Sequence, residues 1–513
     1  MNGAEALVRT LLDSGVDTCF ANPGTSEMHF VAALDRLPGM RCVLGLFEGV
    51  VTGAADGYGR MAGKPAATLL HCGPGMANGL ANLHNAWRAG TPIVNLVGDL
   101  ATYHRPLDAP LTTDVGGWAR PVSAWVRTAT DPLTVGADAT AAVAAARSRG
   151  GGIATRILPS DVCWDPGGIP APPTPPSPPP APDADAVERA ARALRSGRRT
   201  ALMIGGTALR AGAIATAAGI AAATGAAMFA PSSNPRMERG RGRQPVKRLP
   251  YFVDLALAML AEFDQLILVG ARRPVAFFAY PGKPGRLERP GTEVLVLAAP
   301  GQDGAAALDL LAAALGTIPA VVEPGPCPAL PRGAALEPEP FAQALAALLP
   351  EQAVVVEEGV SFGRDTYPGT FDAAPHDWLQ LTGGAIDLGL PMATGAALAA
   401  PGRRVVTLEA DGSGLYTVQA LWTQARERLD VTTIIFANRR YAILQNELAA
   451  VGAAPGRASR ELFDLGSPDL DWVALGRGFG VEAARAETLD RFMDLFQAAN
   501  ARPGPFLIEL AVP

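Results

Sequence analysis

The stretch "RRVVTLEADGSGLYTVQALWTQARERLDVTTIIFANRRYAIL", Arg403 to Leu444, reads strand, turn, helix, strand, turn. Its two apolar runs, "RVVTLEADG" and "VTTIIFAN", end at Gly, Asp or Asn and carry the β-branched residues that suit strands. A right-handed crossover makes the strands parallel, so both carboxyl ends open on one sheet edge. Asp411 ends the first strand and Asn438 the second, offering a carboxylate and an amide oxygen to one point. A hard cation such as Mg²⁺ takes few protein oxygens and completes its octahedron with phosphates and water. Gly412, Ser413 and Gly414 add backbone N–H groups and a hydroxyl at a helix N-terminus, a setting suited to a diphosphate. The plain structural alternative is that Asp411 and Ser413 cap the helix while Asn438 holds a turn.

The same alternation of short apolar runs and Ala-rich helical patterns fills the rest of the chain. Strand candidates are "DTCFANP", "AATLLHC" and "PIVNLVG", then "TALMIGG", "QLILVGA" and "EVLVLAA", then "QAVVVEEG" with the two above. Two proline-rich stretches, Asp165 to Ala186 and Val321 to Pro340, cannot pack inside a helix or sheet and read as extended linkers. At roughly 150 residues per domain, a chain of 513 residues divides into three. The expected architecture is α/β: three consecutive doubly wound parallel-sheet domains over 1–165, 187–320 and 341–513, joined by linkers 166–186 and 321–340.

A net charge of −6 gives no reason to expect nucleic acid or an anionic membrane as a partner. Five scattered cysteines, Cys19, Cys42, Cys72, Cys163 and Cys327, lack metal-ligand spacing and read as reduced thiols. The start, "MNGAEALVRTLLDSGVD", reads as an amphipathic helix, not as a signal peptide. No uncharged apolar run is long enough to span a bilayer. A cytoplasmic protein is expected.

"ADGS" followed by "ANRRYAIL" resembles the cofactor-binding signature of thiamine diphosphate enzymes, normally Gly-Asp-Gly with a closing Asn-Asn. Ala410 and Ala437 stand where that signature has its first Gly and first Asn, and neither position supplies a metal ligand. The resemblance runs from "ANPGTSE" near the start to "GPFLIEL" near the end, and the chain resembles benzoylformate decarboxylase and the acetolactate synthase large-subunit group. It implies a pyrimidine-binding first domain, a central domain and a diphosphate-binding third domain. Mg²⁺ would be held by Asp411, Asn438 and the main-chain carbonyl of Arg440. Gly412, Ser413, Tyr441 and Ser361 (in "EEGVSF") would line the diphosphate site, Gly384 would face the pyrimidine, and Ile386 in "LTGGAIDLGLP" would fold the cofactor into its V shape.

"GLFEGVV" sets Glu48 in an apolar run, where a carboxylate needs a reason. By the resemblance Glu48 activates the cofactor through its pyrimidine nitrogen. The residues alone equally allow Glu48 to cap the N-terminus of the following helix, where a carboxylate is favourable. Thr25 in "NPGTSE" matches a substrate-contacting serine, although an N-cap fits as well. His71 in "LLHCGPGMAN" matches an active-site histidine, a candidate general acid/base, and Asn78 matches a cofactor-side asparagine. A second histidine of benzoylformate decarboxylase has no counterpart; "GARRPVAFFAYPG" offers Phe277, Phe278 and Tyr280 there.

The resemblance therefore implies a thiamine diphosphate- and Mg²⁺-dependent 2-keto acid decarboxylase or carboligase, acting through a C2-ylide and an enamine. A simple decarboxylase and a non-catalytic binding subunit stay open beside it. Glu48 and Asp411 are expected to meet across a subunit interface of a homodimer or tetramer. No feature is specific enough to assign FAD or a nucleotide to the middle block. The basic run Arg236 to Arg248 reads first as a solvated surface loop, with binding of a phosphate group as the alternative.

Overall fold

The computed structural model describes residues 1–148 and 151–513. All nine strand candidates are strands, distributed over three sheets. The first sheet contains β1 (Thr18–Asn22), β2 (Arg41–Leu44), β3 (Ala66–Leu70), β4 (Ile93–Asp99), β5 (Trp125–Thr128) and β6 (Ile153–Pro159), in the order β2-β1-β3-β4-β6-β5. All of its pairs are parallel. β3, β4 and β6 are buried along their whole length, as expected when helices cover both faces.

The middle block supplies β7 (Thr200–Ile204), β8 (Ala227–Ala230), β9 (Met237–Arg239), β10 (Lys247–Arg248), β11 (Gln265–Val269) and β12 (Glu293–Ala298). Five of these form a parallel sheet in the order β10-β8-β7-β11-β12. The remaining strand, β9, leaves its block and pairs antiparallel with the third sheet. That sheet comprises β13 (Val354–Glu358), β14 (His376–Gln380), β15 (Val405–Ala410), β16 (Val431–Ala437), β17 (Glu482–Ala486) and β18 (Phe506–Ala511), ordered β17-β18-β16-β15-β13-β14-β9.

The placement of β9 corrects the reading of the basic run. Arg239 is 2% exposed, its guanidinium carbon 4.0 Å from the Tyr367 ring centre and 4.7 Å from that of Trp378. Arg236 pairs with Asp377 at 2.6 Å and Arg248 with Glu357 at 2.8 Å. Aromatic faces and carboxylates of the third block take up charges that a sequence reading assigns to water.

Two buried helices join the first block to the third. The Glu48–Ala62 helix lies almost entirely buried and ends at Gly63, whose φ of 65° makes a left-handed cap. It packs against the Gly389–Ala399 helix, also buried throughout most of its length. The glycines spaced along both allow their backbones to touch. Arg60 ties this crossing to the middle and third blocks: it grips Asp56 of its own helix with two nitrogens, at 2.8 and 2.6 Å, and donates to the carbonyls of Gln380 and Pro235. No helix among the described residues is long and apolar enough to cross a membrane.

Candidate active site

The parallel register of the first sheet brings three loops to one edge. Ala21 of β1 lies opposite Leu44 of β2, and Asn22 opposite Leu70 of β3. The "NPGTSE" loop, Glu48 and His71 all follow these strand ends. Glu48 occupies the first turn of its helix, not its N-cap, which is Phe47. Its side chain is buried, and Oε2 accepts from Asn78 Nδ2 at 3.0 Å. Gly75 lies so close that a Cβ there would stand 3.0 Å from Oε1. Thr25 is exposed and opens a short 3₁₀ turn through Glu27.

His71 follows β3 and is the N-cap of the Cys72–Ala89 helix. Its Nδ1 lies 2.9 Å from Glu27 Oε2. Burial, above all, pushes the Glu27 carboxyl above its ordinary value; the Gly24 N–H and His71 pull it back down. Carboxylate oxygen, ring nitrogen and the Cys72 thiol fall within 4.8 Å of one another. Burial pushes that thiol up to about 11, so it stays protonated near neutrality and is a weak ligand.

The second group lies on the third sheet. β15 and β16 pair with Ala410 opposite Phe436, which sets Asp411 and Asn438 side by side at the carboxyl edge. Asp411 is 2% exposed. Its Oδ1 accepts from the Gly412 N–H at 2.8 Å and its Oδ2 from the Arg439 N–H at 2.6 Å. Burial raises its pKa, opposed first by the Arg439 N–H. Asn438 Oδ1 accepts from the Arg440 N–H at 3.1 Å. Ser413 is buried, and a Cβ on Gly412 would come 2.4 Å from the Tyr441 ring. Ser361 sits half-buried beyond the end of β13.

Gly384 has a φ of 85° and carries Phe277 against it; a Cβ there would meet the ring at 2.7 Å. The next turn, with half-buried Ile386, leads into the Gly389 helix. Two asparagines that the sequence reading passed over hold it. Asn85 Oδ1 accepts from the Gly383 and Ala385 N–H groups and its Nδ2 donates to the Ala385 carbonyl, while Asn82 donates to the Asp387 carbonyl. Their signal was faint: two amides three residues apart, continuing the helix face that carries Asn78.

The structure thus gathers Thr25, Glu48, His71 and Asn78 on one sheet edge and Ser361, Gly384, Ile386, Asp411, Gly412, Ser413, Asn438 and Tyr441 on another. Among the described residues, no hydrogen bond or ion pair joins a member of the first group to a member of the second. Behind the second edge lies a feature the sequence did not announce: Glu358, Asp387 and Glu409 are buried carboxyls close together. Burial pushes Glu358 up to about 8, helped by the Asp387 charge, and Asp387 up to about 7. A cleft of about 1340 Å³ opens where β7 and β11 end; it includes Arg88, Gly205, Gly270 and Arg272 and reaches Phe277 and Gly383 beside the Gly384 turn.

The donor set fits the expected group: paired hard oxygens at two strand ends, and beside them backbone N–H groups with a glycine where the chain must be approached closely.

Comparison with known proteins gives the family. The family profile described as "Thiamine pyrophosphate enzyme, N-terminal TPP binding domain" matches residues 1–116, and its C-terminal TPP binding counterpart matches residues 370–510. The chain is 52% identical to "Putative acetolactate synthase large subunit IlvX" of Mycobacterium tuberculosis, over 100% of this chain and 99% of that one. It is 30% identical to benzoylformate decarboxylase of Pseudomonas aeruginosa, over 97% and 96%. Among solved structures, the thiamine diphosphate-dependent 4-hydroxybenzoylformate decarboxylase of Rhodococcus jostii RHA1 superposes with a TM-score of 0.86 at 25% identity, covering 100% and 99%.

Proposed function

Because this chain belongs to the thiamine pyrophosphate enzyme family, we propose that it is a 2-keto acid decarboxylase or carboligase of the acetolactate synthase-like group, using thiamine diphosphate and Mg²⁺. The observation that carries the proposal is the placement of Asp411 and Asn438 directly after the adjacent parallel strands β15 and β16. It supports a Mg²⁺ clamp completed by the Arg440 carbonyl, with Gly412 and Ser413 against the diphosphate and Tyr441 packed over Gly412.

When bound, thiamine diphosphate supplies a carbon nucleophile and an electron sink beside the keto carbonyl. Everything else falls to the chain. Glu48, buried and oriented by Asn78, holds and returns a proton at its Oε atoms in a setting with little water to compete. His71 exchanges a proton with the substrate side, and Thr25 offers a hydroxyl to the substrate carboxylate. Gly384 and Ile386 shape the floor. No hydrogen bond or ion pair among the described residues joins the Glu48 group directly to the Asp411 group within one chain, and the reading has the two meet between two copies, in a dimer or tetramer.

CO₂ release from a panel of aliphatic and aromatic 2-keto acids, with and without an aldehyde acceptor, tests the proposal. No release from any member would sink it. Half-buried His71 and the likeness to benzoylformate decarboxylase favour a second reading, simple decarboxylation. Turnover of benzoylformate with no coupled product would select that reading over carboligation.

A further inference from the structure

Glu27 and His71 form a built pair. A Cβ on Gly24 would lie 2.3 Å from two atoms of the His71 ring, so only glycine lets the ring lie flat against the loop. A Cβ on Gly98 would lie 1.6 Å from Glu27 Oε1, so the carboxylate has its own glycine-lined seat. The Gly24 N–H donates to Glu27 Oε2 at 2.7 Å, and the same oxygen faces His71 Nδ1 at 2.9 Å. The Glu27 side chain is 1% exposed and the His71 side chain 24%. One end of the ring is anchored in the interior; the other end is free to work.

We propose that Glu27 is the positioning residue for His71: its carboxylate accepts Nδ1–H, which fixes the ring in one tautomer and leaves Nε2 as the atom that exchanges protons. This rests on the reading of His71 as a proton-exchanging group. A proton arriving at Nε2 leaves Nδ1–H in place, and the positive ring then faces a carboxylate of opposite charge. The other charged or titratable groups around the pair are few. Cys72 follows His71 and its thiol donates to Ser26 Oγ. Asp99, at the end of β4, is paired with Arg105 at 3.2 Å. Cys163 lies beyond β6 and is buried, its thiol held protonated by desolvation. Glu27 is the one of these whose carboxylate meets the ring.

Selective ¹⁵N-histidine labelling of the full chain tests the pair directly, with the His71 signal assigned by its loss in His71→Asn. Wild type is expected to show the Nδ1–H tautomer; an Nε2–H ring would overturn the proposal without any assay of turnover. In Glu27→Gln, which keeps an acceptor and the volume but removes the charge, kcat is expected to fall at least about tenfold. KM and thiamine diphosphate affinity should stay within about twofold, and the pH–rate profile should shift. Glu27→Asp, which keeps the charge, should recover part of the loss. Wild-type kcat and an unmoved profile in Glu27→Gln would overturn the positioning role. If wild type turns over no 2-keto acid, the functional reading falls, while the tautomer measurement still decides the Glu27–His71 link.

Discussion

A Cβ on Gly57 would stand 2.0 Å from the carbonyl oxygen of Met392. The Glu48 helix and the Gly389 helix therefore cross backbone to backbone, and Gly395 repeats the relation against the Ala54 carbonyl at 1.8 Å. This contact sets the distance between the buried glutamate's domain and the Ile386 turn.

Gly57→Ala should force the helices apart. Overpacking of this kind costs about 1–3 kcal/mol, and the displaced helix should also weaken thiamine diphosphate binding. Urea unfolding and calorimetry check both effects. A variant as stable as wild type would show that the crossing yields easily.

The Arg60–Asp56 pair is buried on both sides, with side-chain exposures of 1% and 0%. Arg60→Met leaves Asp56 charged and without its guanidinium, a loss of about 3–5 kcal/mol. Adding Asp56→Asn should recover part of it. Denaturant midpoints of the two variants test this; an additive or larger loss in the double variant would argue against the pair.

Glu358 and Asp387 give stability a definite pH trend. Both carboxyls titrate higher in the fold, at about 8 and about 7, than their ordinary values of 4.5 and 3.8. The folded state then binds more protons than the unfolded one, so their contribution is complete below the ordinary values. It fades as pH rises through the folded ones. Thermal midpoints of ligand-free protein should drop between about pH 5 and 8. Glu358→Gln keeps an acceptor for the Leu388 and Gly389 N–H groups and should flatten the slope; an unchanged slope would assign it elsewhere.

Asp411→Ala should abolish Mg²⁺-dependent binding of thiamine diphosphate in calorimetry, as should a chelator on wild type. Glu48→Gln should bind the cofactor yet lose ~10²–10⁴-fold in kcat. Intact affinity in Asp411→Ala would remove the clamp from the proposal.

Much of this chain could be read in one dimension. Strand and helix assignments rest on local period, so runs such as "TALMIGG" and "VTTIIFAN" declared themselves, and parallel pairing put Asp411 beside Asn438. Glu48 stood out because a lone carboxylate in an apolar run is conspicuous. Arg239 did not: a basic residue in a basic run reads as solvated, and only the aromatic faces of Tyr367 and Trp378 give it a reason to be inside.

Local period, which depends on neighbours a few residues apart, determined the α/β class and the strands of the three sheets; strand-end chemistry singled out Asp411 and Asn438, and the resemblance to thiamine diphosphate enzymes supplied the other candidate site residues. The tertiary structure alone decided which groups touch. Asn85 on the Gly383–Ala385 turn, Glu27 on His71, and β9 on the edge of another block's sheet join residues from separate parts of the chain. Such contacts carry no spacing signature, because they are set by how finished helices and sheets pack and by which buried polar atoms must then find partners.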